Sequence, residues 1–456
     1  MDFYASAFVL LISACGLLTW RQYRTSEETT EQKSLTQQDA YSPSQKAEAQ
    51  RFSKLFLTVY CLVMASDWLQ GPYVYSLYKD QFELQETVVA ALFTTGFVSA
   101  GISGYYAGHF ADKFGRKTAC LLFCVTYATS CFSTLIPSLP VLFIGRVFGG
   151  VSTSLMYSAV ESWMVTEYHK RQLEKSGTSL SSMFGIMTTL NSVMAILSGI
   201  FSEWLVRITS TRRSPFMASA ALLIISFMII SRTWTENYGD SGNVSETSNS
   251  TVPAKNVIKM VFTDQRILTL GLASCFFEGS MYLFVFFWTP ALKAARSQAS
   301  TNGDHHAAGL PLGMIFACFM ASVMLGSLLF NLLVSKYRII SHSRLLTIIF
   351  ATASSSLLVT VVVKDETLTF WSFCIFEACV GMYWPSVGYL KGRVIDDSVR
   401  ARVYGLMRIP LNVFVVVALS LIQEGEAYRN QVFMTCSGLL VVVSGIFHYA
   451  VTESVS

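Results

Sequence analysis

Stretches of about 20 apolar residues, separated by polar loops, run along almost the whole chain, and each is long enough to cross a bilayer as a helix. Thirteen can be delimited: 3–20, 54–77, 86–108, 117–136, 140–164, 180–205, 214–231, 267–290, 310–334, 343–363, 369–390, 403–422 and 431–451. The first stands apart, ahead of a polar stretch rich in Ser, Thr, Gln and Glu. The other twelve divide six and six around a polar loop. The predicted architecture is an all-α integral membrane bundle. It has an N-terminal transmembrane anchor (1–20), a disordered cytosolic linker (21–51), an N-terminal six-helix half (52–231), a cytosolic central loop (232–265) and a C-terminal six-helix half (266–456).

Only 14% of the 456 residues are charged and 52% are hydrophobic, against roughly 25% charged in a soluble domain. An ordinary cytosolic enzyme and a disordered chain are thereby excluded. The net charge of +4 leaves no footprint for nucleic acid. The basic residues do report a side. The chain starts Met1-Asp2-Phe3, without a basic leader, and Arg21 and Arg24 follow the first span. That order predicts an uncleaved anchor with its N-terminus outside and, thirteen spans later, a cytosolic C-terminus. In this orientation the cytosolic loops hold 23 Lys/Arg and the outer loops 8. Cleavage after the first span would reverse that bias. The sequons at Asn243 and Asn249 then lie in the cytosol. The ten cysteines sit in apolar segments without CxxC spacing and read as packing residues. No cofactor or metal is expected, the adjacent His305 and His306 belonging to a solvated outer loop.

The two six-span halves repeat one another. Arg146 in IGRVFGGVSTS (144–154) falls opposite Glu377 in IFEACVGMYWP (375–385), and Gly150 opposite Gly381. FGIM at 184–187 matches YGLM at 404–407, and Asp67 falls near Glu278. Parallel repeats around a midplane site are the architecture of many secondary transporters. Between the second and third spans stands Gly108-His109-Phe110-Ala111-Asp112-Lys113-Phe114-Gly115-Arg116-Lys117. Gly108 permits close helix approach. Asp112 can face a helix N-terminus or a cation. Gly115 turns the chain, and Arg116 and Lys117 stay in the cytosol. This G-x-x-x-D-K/R-x-G-R-K/R pattern resembles the signature of the major facilitator superfamily. Longer stretches, among them ASDWLQGPYVYSLY (65–78), GRVFGGVSTSLMYSAVESW (145–163), FEGSMYLFVFFWTP (277–290) and LGMIFACFMASVMLGSLL (312–329), are similar to the molybdate-anion transporter family. The resemblance runs from about residue 52 to 451. It implies the major facilitator-type fold, an oxyanion substrate and a plasma-membrane location.

Six ionisable residues fall within the spans: Asp67, Arg146, Glu161, Glu278, Glu377 and Arg408. Each costs roughly 2.5–3.5 kcal/mol at a helix centre, so each should face a cavity or a partner. Asp67, Glu278 and Glu377 are either proton-coupling groups or members of buried ion pairs. Arg146 opens the stripe Arg146-x3-Gly150-x3-Ser154. Its planar fork either holds an oxyanion or pairs with Glu377 or Asp67. Arg408, with Asn412 one turn on, is the other cationic candidate. Helical spacing from Asp67, Glu278 and Glu377 adds Gln70, Tyr282 and Trp384 as substrate-lining residues. Glu161 is expected to meet Arg116 and, with Gly108, Asp112, Gly115 and Lys117, to form a cytosolic gate. Four acids against two arginines make a poor cavity for a dianion unless carboxylates are protonated.

A secondary transporter, moving molybdate or a similar oxyanion across the lipid bilayer by alternating access with protons as the coupling ion, accounts for these features best. A carrier of another small solute, a sugar or an organic anion, is the alternative within the class. A transporter-like sensor is the alternative outside it. The sequence holds no P-loop, HExxH or GxSxG to support a pump or an enzyme.

Overall fold

Each expected apolar segment falls on a helix in the computed structural model, which describes residues 3–34, 43–176, 179–239, 254–301, 309–336, 339–396 and 399–455. The helices are α1 (Phe3–Ser34), α2 (Pro43–Trp68), α3 (Glu86–Phe114), α4 (Arg116–Ser133), α5 (Leu139–Lys170), α6 (Leu180–Thr209), α7 (Ser214–Thr233), α8 (Ala254–Thr263), α9 (Gln265–Thr301), α10 (Leu312–Phe330), α11 (His342–Val362), α12 (Glu366–Val394), α13 (Arg400–Ser420) and α14 (Glu426–Val455). Among the described residues there is no strand. Ten of these helices are long and apolar enough to cross a membrane on their own composition. The exceptions among the thirteen segments are α2, α4 and α12, diluted by Arg51, Lys54 and Asp67, by Arg116 and Lys117, and by Glu377, Lys391 and Arg393.

Three boundaries differ from expectation. The linker expected to be disordered is helical at both ends, since α1 runs on to Ser34 and α2 begins at Pro43. Residues 21–34 are rich in Arg, Glu, Gln and Lys, good helix formers, and extending an existing helix needs no new nucleus. The span expected over 54–77 stops at Trp68, because Gly71-Pro72 cannot continue it. A one-turn helix (Val74–Ser76) and a wide turn (Leu77–Gln81) follow. The central loop contains α8, while the two sequons and His305-His306 lie outside the described residues.

The first helix joins the second half. Cys15 donates to the Ala321 carbonyl of α10 at 3.4 Å, Gln22 to the Leu328 carbonyl at 3.1 Å, and the Tyr4 hydroxyl to Glu366 at the start of α12. Within each half, the second and fourth helices cross on small residues. A Cβ on Gly150 would stand 2.7 Å from Ala100 N and Ser99 Cβ of α3. One on Gly381 would stand 2.8 Å from Val323 C and 3.0 Å from Ser327 N of α10. The two glycines that the internal alignment pairs therefore occupy equivalent crossings, where only a missing side chain lets the backbones approach.

The halves meet at the end of the bundle away from the signature loop. There Gly199 of α6 crosses Gly313 of α10, and Glu203 Oε2 accepts from Gly313 N at 2.9 Å and from Tyr73 Oη at 2.7 Å. Lys79 pairs with Glu424 at 3.2 Å, and Lys293 of α9 with Asp80. The Glu86 backbone N–H and the Lys79 ammonium hold the Glu424 carboxyl below its ordinary range. At the signature-loop end, by contrast, Gly108, Gly185, Gly388, Gly392 and Gly405 face open space, with no atom within 4 Å of an added Cβ.

Candidate functional site

Arg146 lies on α5 one turn before Gly150, its Cδ 4.0 Å from where a Cβ on Gly96 of α3 would be. Its Nε donates to Tyr78 Oη at 2.7 Å, and the guanidinium carbon sits 5.1 Å from the centre of that ring. Among the described residues neither Asp67 nor Glu377 pairs with it, so the salt-bridge alternative is not formed here. The rest of the stripe is packing: Ser154 Oγ donates to the Ala100 carbonyl at 2.8 Å. Asp67, on α2, accepts from Tyr127 Oη at 2.6 Å and has no cationic partner among the described residues. Glu377 is buried at 5% exposure, again with no described partner. Gln70 is buried against α7, bonding Ser219 Oγ at 3.0 Å and the Ser66 carbonyl. It fastens α2 to α7, and i+3 spacing from Asp67 was too coarse to exclude that.

The second half supplies a different cluster. Glu278 Oε1, on α9, accepts from Tyr383 Oη at 2.8 Å and stands 3.6 Å from Lys391 Nζ. The hydropathy boundary at 390 put Lys391 in a loop. The helix runs on to Val394, and an aliphatic stem carries the ammonium back along it. Among the described residues Lys391 therefore joins Arg146 as a basic group that reaches the interior. Arg408 is exposed on α13, with no described ion pair. Asn412 packs against Gly101 of α3, its Nδ2 3.2 Å from where a Cβ would be. Tyr282 rests its ring 5.2 Å from that of Phe97, bridging the halves. Trp384 is 45% exposed and touches only Tyr383 among the described aromatic rings. Tyr157, which sequence spacing did not single out, lies within electrostatic reach of Asp67 and Glu161 in its own half and of Tyr282 in the other.

The signature loop is built differently from the expected gate. Arg116 donates from Nη2 to Asp112 Oδ1 at 2.9 Å, from Nη1 to the Ser162 carbonyl at 3.1 Å, and also to Thr166 Oγ1. Glu161 is exposed and takes no part among the described contacts, because Arg116 is taken up by Asp112, the Ser162 carbonyl and Thr166. Gly115 has φ +104°, and a Cβ there would sit 2.6 Å from Glu236 Oε1. Glu236 follows α7 and caps the start of α4. It accepts from Lys117 N at 2.7 Å and from Thr118 N at 3.1 Å, an anion against the positive end of a helix. Lys117 Nζ reaches the Ser231 carbonyl at 3.0 Å. Trp234 stacks on Trp163 at 3.6 Å. The first residues of the central loop are thus part of the folded signature site, which a composition boundary at 232 concealed.

An apolar groove of about 700 Å³ lies between α3 and α5, lined by residues such as Val98, Ile102, Tyr106 and Val151. It contains none of the charged candidates and cannot replace the hydration of an anion.

A model of the family described as sugar transporters with twelve transmembrane segments matches residues 8–377. The molybdate-anion transporter of Xenopus tropicalis is 30% identical over 410 residues, covering 86% of this chain and 85% of that one. The molybdate-anion transporter of Takifugu rubripes is 29% identical over 415 residues, covering 85% and 82%. The chain belongs to the molybdate-anion transporter family of the major facilitator superfamily. Solved structures agree on the fold. The nucleoside transporter NupG superposes with a TM-score of 0.67 at 13% identity, over 88% of this chain and 98% of that one. The peptide transporter POT in complex with sulfate gives 0.65 at 13%, over 88% and 94%. The protein is accordingly a multi-span membrane transporter with the major facilitator-type 6+6 bundle and an extra N-terminal helix.

Proposed function

We propose that this protein carries molybdate, or a similar tetrahedral oxyanion, into the cell across the plasma membrane by alternating access, with protons as the coupling ion. Arg146 carries this reading. It is a guanidinium inside the bundle, steadied through Nε by Tyr78, with no carboxylate paired to it among the described residues. Its two terminal nitrogens form the planar fork that binds an oxyanion, and an uncompensated interior charge is costly unless a ligand uses it. The relatives named as molybdate-anion transporters support the substrate class. The bias of basic residues supports a signature-loop end in the cytosol, with the N-terminus outside. In that orientation the far-end contacts through Glu203, Asp80 and Glu424 lie on the outer side, which supports an arrangement closed outward.

Uptake of labelled molybdate by transport-deficient cells expressing this chain, with sulfate and sugars as competitors, tests the reading. Molybdate uptake inhibited by oxyanions and lost in Arg146→Ala supports it. The family model's description favours a sugar as the second reading, and competition by sugars alone would establish that instead. Conformational change on molybdate without uptake would mark a sensor.

A further inference from the structure

Lys391 and Glu278 form an ion pair that joins the first and fourth helices of the second half; the other described pair between these helices, Arg296 with Glu366 at 3.9 Å, lies at the far end. Both side chains are largely enclosed, at 16% and 11% exposure. The groups around them are few. From α12, Tyr383 donates to Glu278 Oε1 and bonds Ser274 Oγ at 3.3 Å. From α13, the Tyr404 ring lies 5.7 Å from Lys391 Nζ, and Arg408 is near enough to act electrostatically on both Lys391 and Tyr282. From α9 itself come Cys275 and Tyr282. From α14 comes Cys436, which reaches Ser280 instead. Both contacts fall on Oε1, and Oε2 takes none among the described residues. While Glu278 is ionised, it cancels Lys391, and Arg408 beside them has no ion pair among the described residues.

We propose that Lys391 is a further ligand of the transported anion, and that a proton taken up on Glu278 Oε2 makes it available. This rests on the oxyanion reading above and assigns its proton coupling to one pair. The protonated carboxyl no longer holds the ammonium. The flexible stem of Lys391 then lets Nζ turn toward the side of Arg408 and Tyr282, so two cations of the second half face Arg146 of the first. A dianion supplies the charge that Glu278 has given up. Anion and proton therefore bind with positive coupling, and each must tighten the other by the same factor. When the anion leaves, the freed ammonium repels the proton from Glu278, which resets the pair.

The test is molybdate binding to the purified full chain at pH 6.0 and 8.0, by scintillation proximity with labelled molybdate, alongside thermal melting of each variant. The wild type should bind more tightly at pH 6.0. Glu278→Gln should bind equally at both values, near the wild-type affinity at pH 6.0. Lys391→Gln should bind about tenfold or more weakly at pH 6.0, the loss expected for one charge-assisted contact, and without pH dependence. Lys391→Arg should keep most of the affinity. Should Lys391→Gln fail to fold, the double variant Glu278→Gln/Lys391→Gln removes both charges together and should show the same weak, pH-independent binding. Wild-type affinity in Lys391→Gln or the double variant, or an unchanged pH dependence in Glu278→Gln, overturns the proposal while leaving the oxyanion reading standing. A folded wild type that binds no molybdate at either pH overturns that reading, and this proposal with it.

Discussion

Replacing Gly199 with alanine tests how the two halves close. A Cβ at this position would lie 2.8 Å from the Gly313 carbonyl oxygen and 2.9 and 3.1 Å from Ala317 N and Cα. All three are backbone atoms of α10, so no side chain can swing aside. Reaching ordinary contact near 3.4 Å requires α6 and α10 to part by roughly half an ångström, and that movement stretches the 2.9 Å bond from Gly313 N to Glu203. Overpacking of this kind costs about 1–3 kcal/mol. The gain in helix propensity from Gly to Ala is present whether or not the halves touch, so it cancels from the balance between the two arrangements. The closed far end should therefore lose population relative to a parted one by about 5- to 150-fold, at 1.4 kcal/mol per factor of ten. Spin labels at Thr209→Cys and Gly309→Cys, exposed positions beside this crossing, report the distance by double electron–electron resonance. Of the native thiols, nine are buried and Cys61 is half-buried, which limits competing labelling. A longer-distance population that grows in Gly199→Ala is the expected result. An identical distance distribution in both proteins would refute the claim that this crossing holds the far end shut.

Other outcomes follow from the same contacts. Arg146→Ala should abolish uptake and Arg146→Lys should retain part of it, whereas the exchange Arg146→Glu with Glu377→Arg should not restore it, because the two are not paired; uptake in cells checks all three. Asp112→Asn removes the 2.9 Å pair to Arg116. It should reduce transport with surface expression largely kept, since half of the Asp112 side chain is exposed and such pairs add at most about 1 kcal/mol to stability. Gly115→Ala should lower the melting temperature by a few degrees, as the positive φ and the Glu236 carboxylate together cost about 1–3 kcal/mol; Glu236→Ala should lower it as well, by uncapping α4. Asn243 and Asn249 should carry no glycan in cells, which a gel shift on glycosidase treatment checks directly.

Hydrophobic length and charge order were sufficient to place thirteen helices, to divide twelve of them six and six, and to mark the signature loop. Those properties are local: a bilayer demands about 20 apolar residues per crossing whatever the neighbours are. The glycines of the repeat were legible for a related reason, since an approach that tolerates no Cβ leaves a letter in the sequence at both Gly150 and Gly381. Pairing of charges was not legible, because it depends on which helix faces which. Sequence spacing put Arg146 beside Asp67 or Glu377, and Arg116 beside Glu161. Tertiary packing gave Arg146 to Tyr78, Asp67 to Tyr127, and Arg116 to Asp112 and the α5 backbone. Lys391 and Glu236 escaped notice because each sits just past an apolar segment, where composition reads as loop. A long aliphatic stem returns one of them to the interior, and a chain reversal after α7 delivers the other to the start of α4. The attachment of α1 to the second half was equally unreadable, since an apolar helix carries no mark of which neighbour it will choose when lipid and protein are alike apolar.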